Sequence, residues 1–335
     1  MNIRETMEQW ERQNLSPYAS LSSETLGRDR EEPLCDIRPA YQRDRDRILH
    51  SKSFRRLKDK TQVFLAPEGD HYRTRLTHTL EVSQIARTIA KALRMNESLT
   101  EAIALGHDLG HTPFGHAGEY ILNEICEDGF AHYKQSVRVV EILEKKGQGL
   151  NLTKEVRDGM LNHRTSGNPA TMEGKIVRFS DKIAYINHDI DDAIRGRIIT
   201  ERDIPREYAD VLGDTVKDRL NIMIHDIINN SMDRPSIFMS PDVERAMRGL
   251  REWMFEHVYR NPAAKGEEGR AQQLIVTLYE YYLKHVGELP DEYLAMMELR
   301  GEKRERVVCD YIAGMSDGYA IDRFEELFVP KGWNV

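Results

Sequence analysis

Long apolar stretches are missing from this chain. No run in its 335 residues approaches the roughly 20 apolar residues that a membrane helix needs. Met1 to Ser20 is polar and charged, with no apolar core of signal-peptide length. Neither a membrane protein nor an exported one is predicted. Cysteine is scarce too: Cys35, Cys126 and Cys309 stand far apart, without metal-finger spacing, and form no disulfide framework. A cytoplasmic, reducing setting fits that usage. Alternating strand-like runs are nearly absent, which leaves an all-α fold with at most a minor β-hairpin around Gln62 to Arg73. An excess of positive charge is also lacking. With 48 Lys and Arg against 56 Asp and Glu the net charge is −8, which argues against a dedicated nucleic-acid binder.

What is present is helical. Hydrophobic residues at 40% and charged residues at 31% describe a folded globular protein, long enough for one large domain or two. Leu76, Leu80, Ile85, Ile89 and Leu93 predict a helix over about 75–95, with His78 in its first turn. Ser98-Leu99-Thr100-Glu101 has the form of a capping box and opens a helix that ends near Gly106 to Gly110. Further helices are predicted near 117–126, 132–146 (stopped by Gly147), 153–162 and 173–195, with more in the C-terminal third. Residues 1–35 lack periodicity and read as a flexible arm. The polar stretch Asn261 to Gly269 separates a core over 36–260 from a C-terminal helical lobe over 261–335. Between Arg43 and Lys60, eight Arg and Lys face only three Asp. That island suits a polyanionic ligand such as a triphosphate, or else a solvated helix face making intrachain ion pairs.

One segment stands apart. Residues 106–119 read Gly-His-Asp-Leu-Gly-His-Thr-Pro-Phe-Gly-His-Ala-Gly-Glu, three histidines and two carboxylates among glycines. His107 and Asp108 stand side by side, His78 lies upstream and Asp181 downstream. Two imidazoles and two carboxylates suit a divalent ion, Mn, Fe, Co, Ni or Zn, with Mg weaker because of the nitrogen ligands. Neighbours in mid-helix point about 100° apart, so Gly106 and Gly110 put the dyad at a helix end, where both side chains can reach one ion. Coordination positions would stay open to water and substrate.

The order His, His-Asp, Asp along a helical chain is that of the HD phosphohydrolases, and the flanking motifs narrow the likeness. Tyr-Gln-Arg-Asp-Arg-Asp-Arg-Ile-Leu-His (41–50), Ser-Phe-Arg-Arg-Leu-Lys-Asp-Lys-Thr-Gln-Val-Phe (53–64), Arg-Leu-Thr-His-Thr-Leu-Glu-Val (75–82) and the glycine-histidine run come first. Val-Arg-Phe-Ser-Asp-Lys-Ile-Ala-Tyr-Ile-Asn-His-Asp-Ile-Asp-Asp-Ala (177–193) and Asp-Tyr-Ile-Ala-Gly-Met-Ser-Asp-Gly-Tyr-Ala (310–320) follow. In these the chain resembles the deoxynucleoside triphosphate triphosphohydrolases, the dGTPase branch of the HD superfamily. One departure is Gly318, where many of that family carry Arg.

The resemblance implies an HD-type helical fold and hydrolysis of a dNTP, dGTP or a broader range, to deoxynucleoside and inorganic triphosphate. It implies His78, His107, Asp108 and Asp181 as metal ligands. A sugar 5′-alkoxide is a poor leaving group and needs a general acid. His116 and Glu119, three apart on a predicted helix, can supply one, and by resemblance they are the catalytic pair. His111 would bind phosphate or the attacking water. The resemblance assigns Lys182 and Arg75 to phosphates, Gln62 to the sugar edge, and Tyr185 and Asp189 to the deoxyribose. Asp181, Tyr185 and Asp189, spaced by four, form one helical stripe. His132 and His163 have family-like surroundings without an assigned role, and His71 and His188 stay unassigned. Relatives form tetramers or hexamers, so a homo-oligomer is implied, with a nucleotide effector or single-stranded DNA as a further partner. The alternatives are another HD phosphohydrolase (5′-nucleotidase, cyclic-nucleotide phosphodiesterase or (p)ppGpp hydrolase) and a protein that senses dNTPs or binds single-stranded nucleic acid.

Overall fold

The helical periodicity of the sequence becomes helix in the computed structural model, which describes residues 2–62, 73–259 and 267–331. In chain order come α1 (Ile3–Asn14), α2 (Ala40–Leu49), α3 (Lys52–Arg56), α4 (Arg75–Ala92), α5 (Glu97–Gly106) and α6 (Gly115–Ile125). Then follow α7 (His132–Arg138), the single turn α8 (Glu144–Gly147), α9 (Lys154–Asn162) and α10 (Met172–Arg195). The remainder is α11 (Arg206–Leu212), α12 (Val216–Ser231), α13 (Pro241–Met254), α14 (Glu268–Lys284), α15 (Asp291–Arg300), α16 (Arg304–Ala313) and α17 (Asp317–Phe328). Among the described residues there is no strand, only an isolated antiparallel bridge between Thr61 and Thr74. Most of the hairpin predicted over 62–73 lies outside the described residues, as do most of the loop predicted over 261–269 and His71. No described helix is long and apolar enough to cross a membrane.

Three local readings change. The stretch 1–35, read as an arm without periodicity, contains α1, whose N-cap Asn2 forms a capping box with Glu5. It is tied down by buried carboxylates: Glu11 accepts from Ser22, Glu155 from Thr25 and Leu26, and Glu173 from Ser20. A polar stretch without an apolar stripe can dock this way because a buried carboxylate needs donors. The cap of α5 is Asn96, which accepts from the Ser98 and Leu99 amides, two residues ahead of the predicted box. The helix predicted over 132–146 breaks after Leu143, with Lys145 and Lys146 in left-handed conformation.

Two apolar cores organise these helices. In the first, α4 (Val82, Ile85, Ile89), α5 (Leu99, Ile103) and α10 (Ile176, Ile183, Ile190) bury their side chains almost completely against one another, with α2 laid across α5. In the second, Ile275, Leu278 and Tyr282 of α14 and Val308 and Ile312 of α16 enclose Leu122 of α6 and Cys126 at its C-cap. So α6 leaves the first core and packs on the C-terminal helices. Cys126 and Cys309, 183 residues apart, meet there with sulfurs 2.7 Å apart, which their sequence spacing did not reveal. Much of the basic island is spent within the chain: Arg43 and Arg47 pair with Glu32, and Arg45 with Asp46 and Glu101.

Candidate active site

The dyad lies where its glycines put it. α5 ends at Gly106, His107 is its C-cap, and the chain turns through Asp108 to Gly110. A Cβ on Gly110 would stand 2.1 Å from the Ser136 amide nitrogen, so glycine lets α7 press directly on the dyad. His78 enters from the first turn of α4 and Asp181 from the middle of α10.

The four predicted ligands converge. His78 Nε2 stands 3.2 Å and His107 Nε2 3.7 Å from Asp181 Oδ1, and His107 Nε2 is 3.5 Å from Asp108 Oδ1. Donor atoms of His78, His107 and Asp108 all lie within 4.8 Å of one another. His107 Nδ1 donates to the Ala104 carbonyl at 2.6 Å, which leaves a lone pair on Nε2, and that buried atom has no hydrogen-bond partner. Burial pushes the Asp181 carboxyl up, but the hydrogen bond from His78 leads the effects that outweigh it and bring it down to about 2. Burial likewise raises Asp108, and His107, His111 and Arg75 hold it well below the usual carboxylate range. Two ionised carboxylates, Asp108 buried and Asp181 half-buried, with two imidazole nitrogens at this spacing fit a divalent cation.

Arg75, expected at the phosphates, points into this pocket. Its Nη1 is 2.8 Å from Asp108 Oδ2 and its Nη2 donates to the Gln62 carbonyl at 3.3 Å. Both partners of the ion pair are buried.

Beyond the dyad the histidines form a chain of rings. His111, buried, stacks on His132 with centroids 4.2 Å apart, and its Nε2 is 3.9 Å from Asp108 Oδ1. His163 Nε2 is 3.3 Å from His132 Nε2. Glu119 has its shortest contacts with His132 rather than with His116: Oε1 accepts from the His132 amide at 2.8 Å and from Nδ1 at 2.9 Å. His116 Nδ1 is 3.7 Å from the other oxygen, with 77% of its side chain exposed. Burial lowers His132, yet the hydrogen bond and charge of Glu119 outweigh it and raise the imidazole above its ordinary value. The His132–Glu119 pair was not assigned from sequence. No local spacing joins two residues 13 apart on different helices.

The stripe on α10 faces the same side. Tyr185 and Asp189 follow Asp181, and the Tyr185 hydroxyl and Asp189 Oδ1 are buried without a partner, as is Gln62 Oε1. Tyr259 donates its hydroxyl proton to Asp189 Oδ2. Burial pushes the Asp189 carboxyl up to about 7, the Tyr259 hydrogen bond pulling the other way. Lys182 is brought down to about 8 by burial and by Arg178, with its Nζ 5.6 Å from the Phe179 ring centroid. Behind His78, His188 Nδ1 meets Glu81 Oε2 at 2.9 Å. Gly318 is exposed, and a Cβ there would meet open space.

This fold and pocket are those of an HD-domain phosphohydrolase. Residues 75–186 match the HD domain, and residues 237–326 match the phosphohydrolase-associated domain. Full-length relatives are named deoxyguanosinetriphosphate triphosphohydrolase-like proteins. One from Caldanaerobacter subterraneus subsp. tengcongensis is 57% identical over 99% of this chain and 98% of its own length. Another from Clostridium perfringens is 48% identical over 99% of both. A third, from Geobacter sulfurreducens, is 40% identical over 97% of this chain and 98% of its own. The chain belongs to the deoxyguanosinetriphosphate triphosphohydrolase-like family, and it is a hydrolase.

Proposed function

We propose that this protein hydrolyses deoxynucleoside triphosphates to deoxynucleoside and inorganic triphosphate, with a divalent metal held by His78, His107, Asp108 and Asp181. The observation that carries the reading is the unpartnered, buried Nε2 of His107 between two ionised carboxylates, beside the unpartnered polar atoms of Gln62, Tyr185 and Asp189. When bound, the ion supplies a Lewis acid for the phosphate and lowers the pKa of a water. The protein does the rest. Asp189 and Gln62 take the sugar hydroxyl and ring edge, and Tyr185 fills the space a 2′-hydroxyl would need. Lys182 meets phosphate oxygens, while Arg75 steadies Asp108. His111 sits between the dyad and His116, where a phosphate oxygen or the attacking water would come. His116 protonates the leaving 5′-oxygen, Glu119 orients it, and His132 holds Glu119.

The test is product analysis. The metal-loaded protein is incubated with each dNTP and NTP, and the products are separated. Inorganic triphosphate with deoxynucleoside, and poor cleavage of NTPs, is the expected result. Monophosphate and pyrophosphate as products would sink the reading.

A further inference from the structure

The C-terminal helices reach back into the site through one carboxylate. Asp317 opens α17, but the N-cap of that helix is Ser316, which accepts from the Tyr319 amide. Both oxygens of Asp317 are turned away from its own helix. Oδ1 accepts from the Phe114 amide at 2.9 Å, and Oδ2 from the Thr61 amide at 2.9 Å and from the Thr61 hydroxyl. Phe114 is the left-handed N-cap of α6, φ 61°, ψ 27°, and Gly115 after it is also left-handed at φ 56°. A non-glycine residue holds that conformation only where its surroundings fix it. A second tie runs alongside: the buried ammonium of Lys60 donates to the carbonyls of His111 and of Ala313, the last residue of α16.

The two segments that Asp317 joins are the ones that carry Gln62 and His116. Thr61 precedes Gln62, and Phe114 stands two residues before His116. We propose that Asp317 is a positioning residue, which with Lys60 fixes the sugar edge and the leaving-group acid of the HD site relative to each other from the C-terminal helices. The proposal rests on the reading of Gln62 and His116 given above. Three donors on one carboxylate exceed what a residue in the first turn of a helix needs for the dipole alone. A shift of about 1 Å in such a site costs on the order of 10²-fold in rate.

The experiment combines Asp317→Ala, Asp317→Asn and His116→Ala in the full chain loaded with Mn(II), with dGTP as substrate. Asp317→Ala is expected to lower kcat about 10–100-fold at unchanged metal content. Asp317→Asn keeps one acceptor oxygen and should fall between Asp317→Ala and wild type. In the His116→Ala background, Asp317→Ala should lower kcat by less than about threefold, because residues acting as a unit are not additive. Amide exchange at Thr61 and Phe114 should rise about tenfold or more in Asp317→Ala, while Ile85 and Ile89 in α4 stay protected. Losses that multiply in the double variant would make Asp317 merely structural and overturn the proposal, as would wild-type kcat in Asp317→Ala. Wild-type turnover in His116→Ala alone identifies failure of the acid assignment. In that case the positioning role stands only if Asp317→Ala frees both amides and narrows the dNTP-over-NTP preference, and it falls if either is unchanged.

Discussion

His78 and His107 expose 2% and 0% of their side chains, whereas His116, in the next helix along from His107, exposes 77%. At the dyad, ligand atoms from α4, the end of α5 and α10 are pressed together, with one carboxylate paired to Arg75 and the other hydrogen-bonded to His78. At the His116 edge, one carboxylate is shared between two imidazoles and the outer one faces solvent. Two carboxylates and two imidazoles this close suit a cation, and under the reading proposed above the first region holds its ion before any substrate arrives. The second, on the same reading, gains its dielectric and alignment only once substrate covers it, and long contacts such as 3.7 Å are usual before that happens.

The sharpest way to break this contrast is at the dyad. Asp181→Ala removes an oxygen facing both His78 and His107. Metal content by elemental analysis should fall to background and turnover by about 10³-fold or more, with the helical circular dichroism retained. Metal at the wild-type level would remove Asp181 from the ligand set. Asp108→Ala is a poorer probe, since it also leaves the buried Arg75 guanidinium without its partner, at about 3–5 kcal/mol. His116→Ala makes the opposite demand on the other region. Turnover should fall about 10²–10⁴-fold while bound metal stays. Stability should change by no more than about 0.5 kcal/mol, because the side chain is exposed. Lost metal or an unfolded protein would show that the two regions are one.

His132 sits between these extremes and sharpens the comparison. His132→Ala leaves Glu119 half-buried without its closest partner and should destabilise the protein by about 1–3 kcal/mol near neutral pH. The sign with pH follows from the two shifts. His132 is raised above 6.5, so its contribution is full below 6.5 and lost as pH rises through the raised value. Glu119 is held below 4.5, burial being outweighed by His116 and His132, so its contribution is full above 4.5 and lost as pH falls through the depressed value. The gap in melting temperature between wild type and His132→Ala should therefore be widest between 4.5 and 6.5 and shrink on the alkaline side. A gap that grows with pH above 7 would mean that the imidazole is neutral in the fold.

Sequence was a good guide where chemistry is carried by residue type in a local pattern. His107-Asp108 between two glycines placed the dyad at a helix end, and spacing by four placed Tyr185 and Asp189 on the face of Asp181. It was a poor guide where a partner comes from far along the chain. Glu119 could be matched only to its neighbour three residues back. That His132 takes the carboxylate depends on Gly110 admitting α7, a steric fact visible only once the helices are docked. Arg75 was legible as a cation but not its aim at Asp108. Asp317 lies 203 residues from the amide it holds at Phe114. The capping of α5 went to Asn96 because a side chain that accepts two amides outcompetes a box two residues later.

Tyr259, which donates to Asp189 from 70 residues away, gives the smallest and most specific test. Asp189 titrates near 7 because burial disfavours its charge, and the Tyr259 hydroxyl offsets part of that by donating to the carboxylate. If the ionised form accepts the sugar hydroxyl, activity rises as pH passes through about 7. Tyr259→Phe keeps the ring and removes the donor, so the Asp189 pKa moves further up and the acid limb of the pH–rate profile moves with it. At neutral pH turnover should fall roughly three- to tenfold, the scale of an ordinary net hydrogen bond of about 1 kcal/mol. Well above the shifted pKa the variant should approach wild type, because the carboxylate is then ionised in both. A uniform loss at every pH would make Tyr259 a packing residue, and activity that instead falls as pH rises past about 7, with that alkaline limb moved upward in the variant, would mean that the protonated form of Asp189 is the one that binds the sugar.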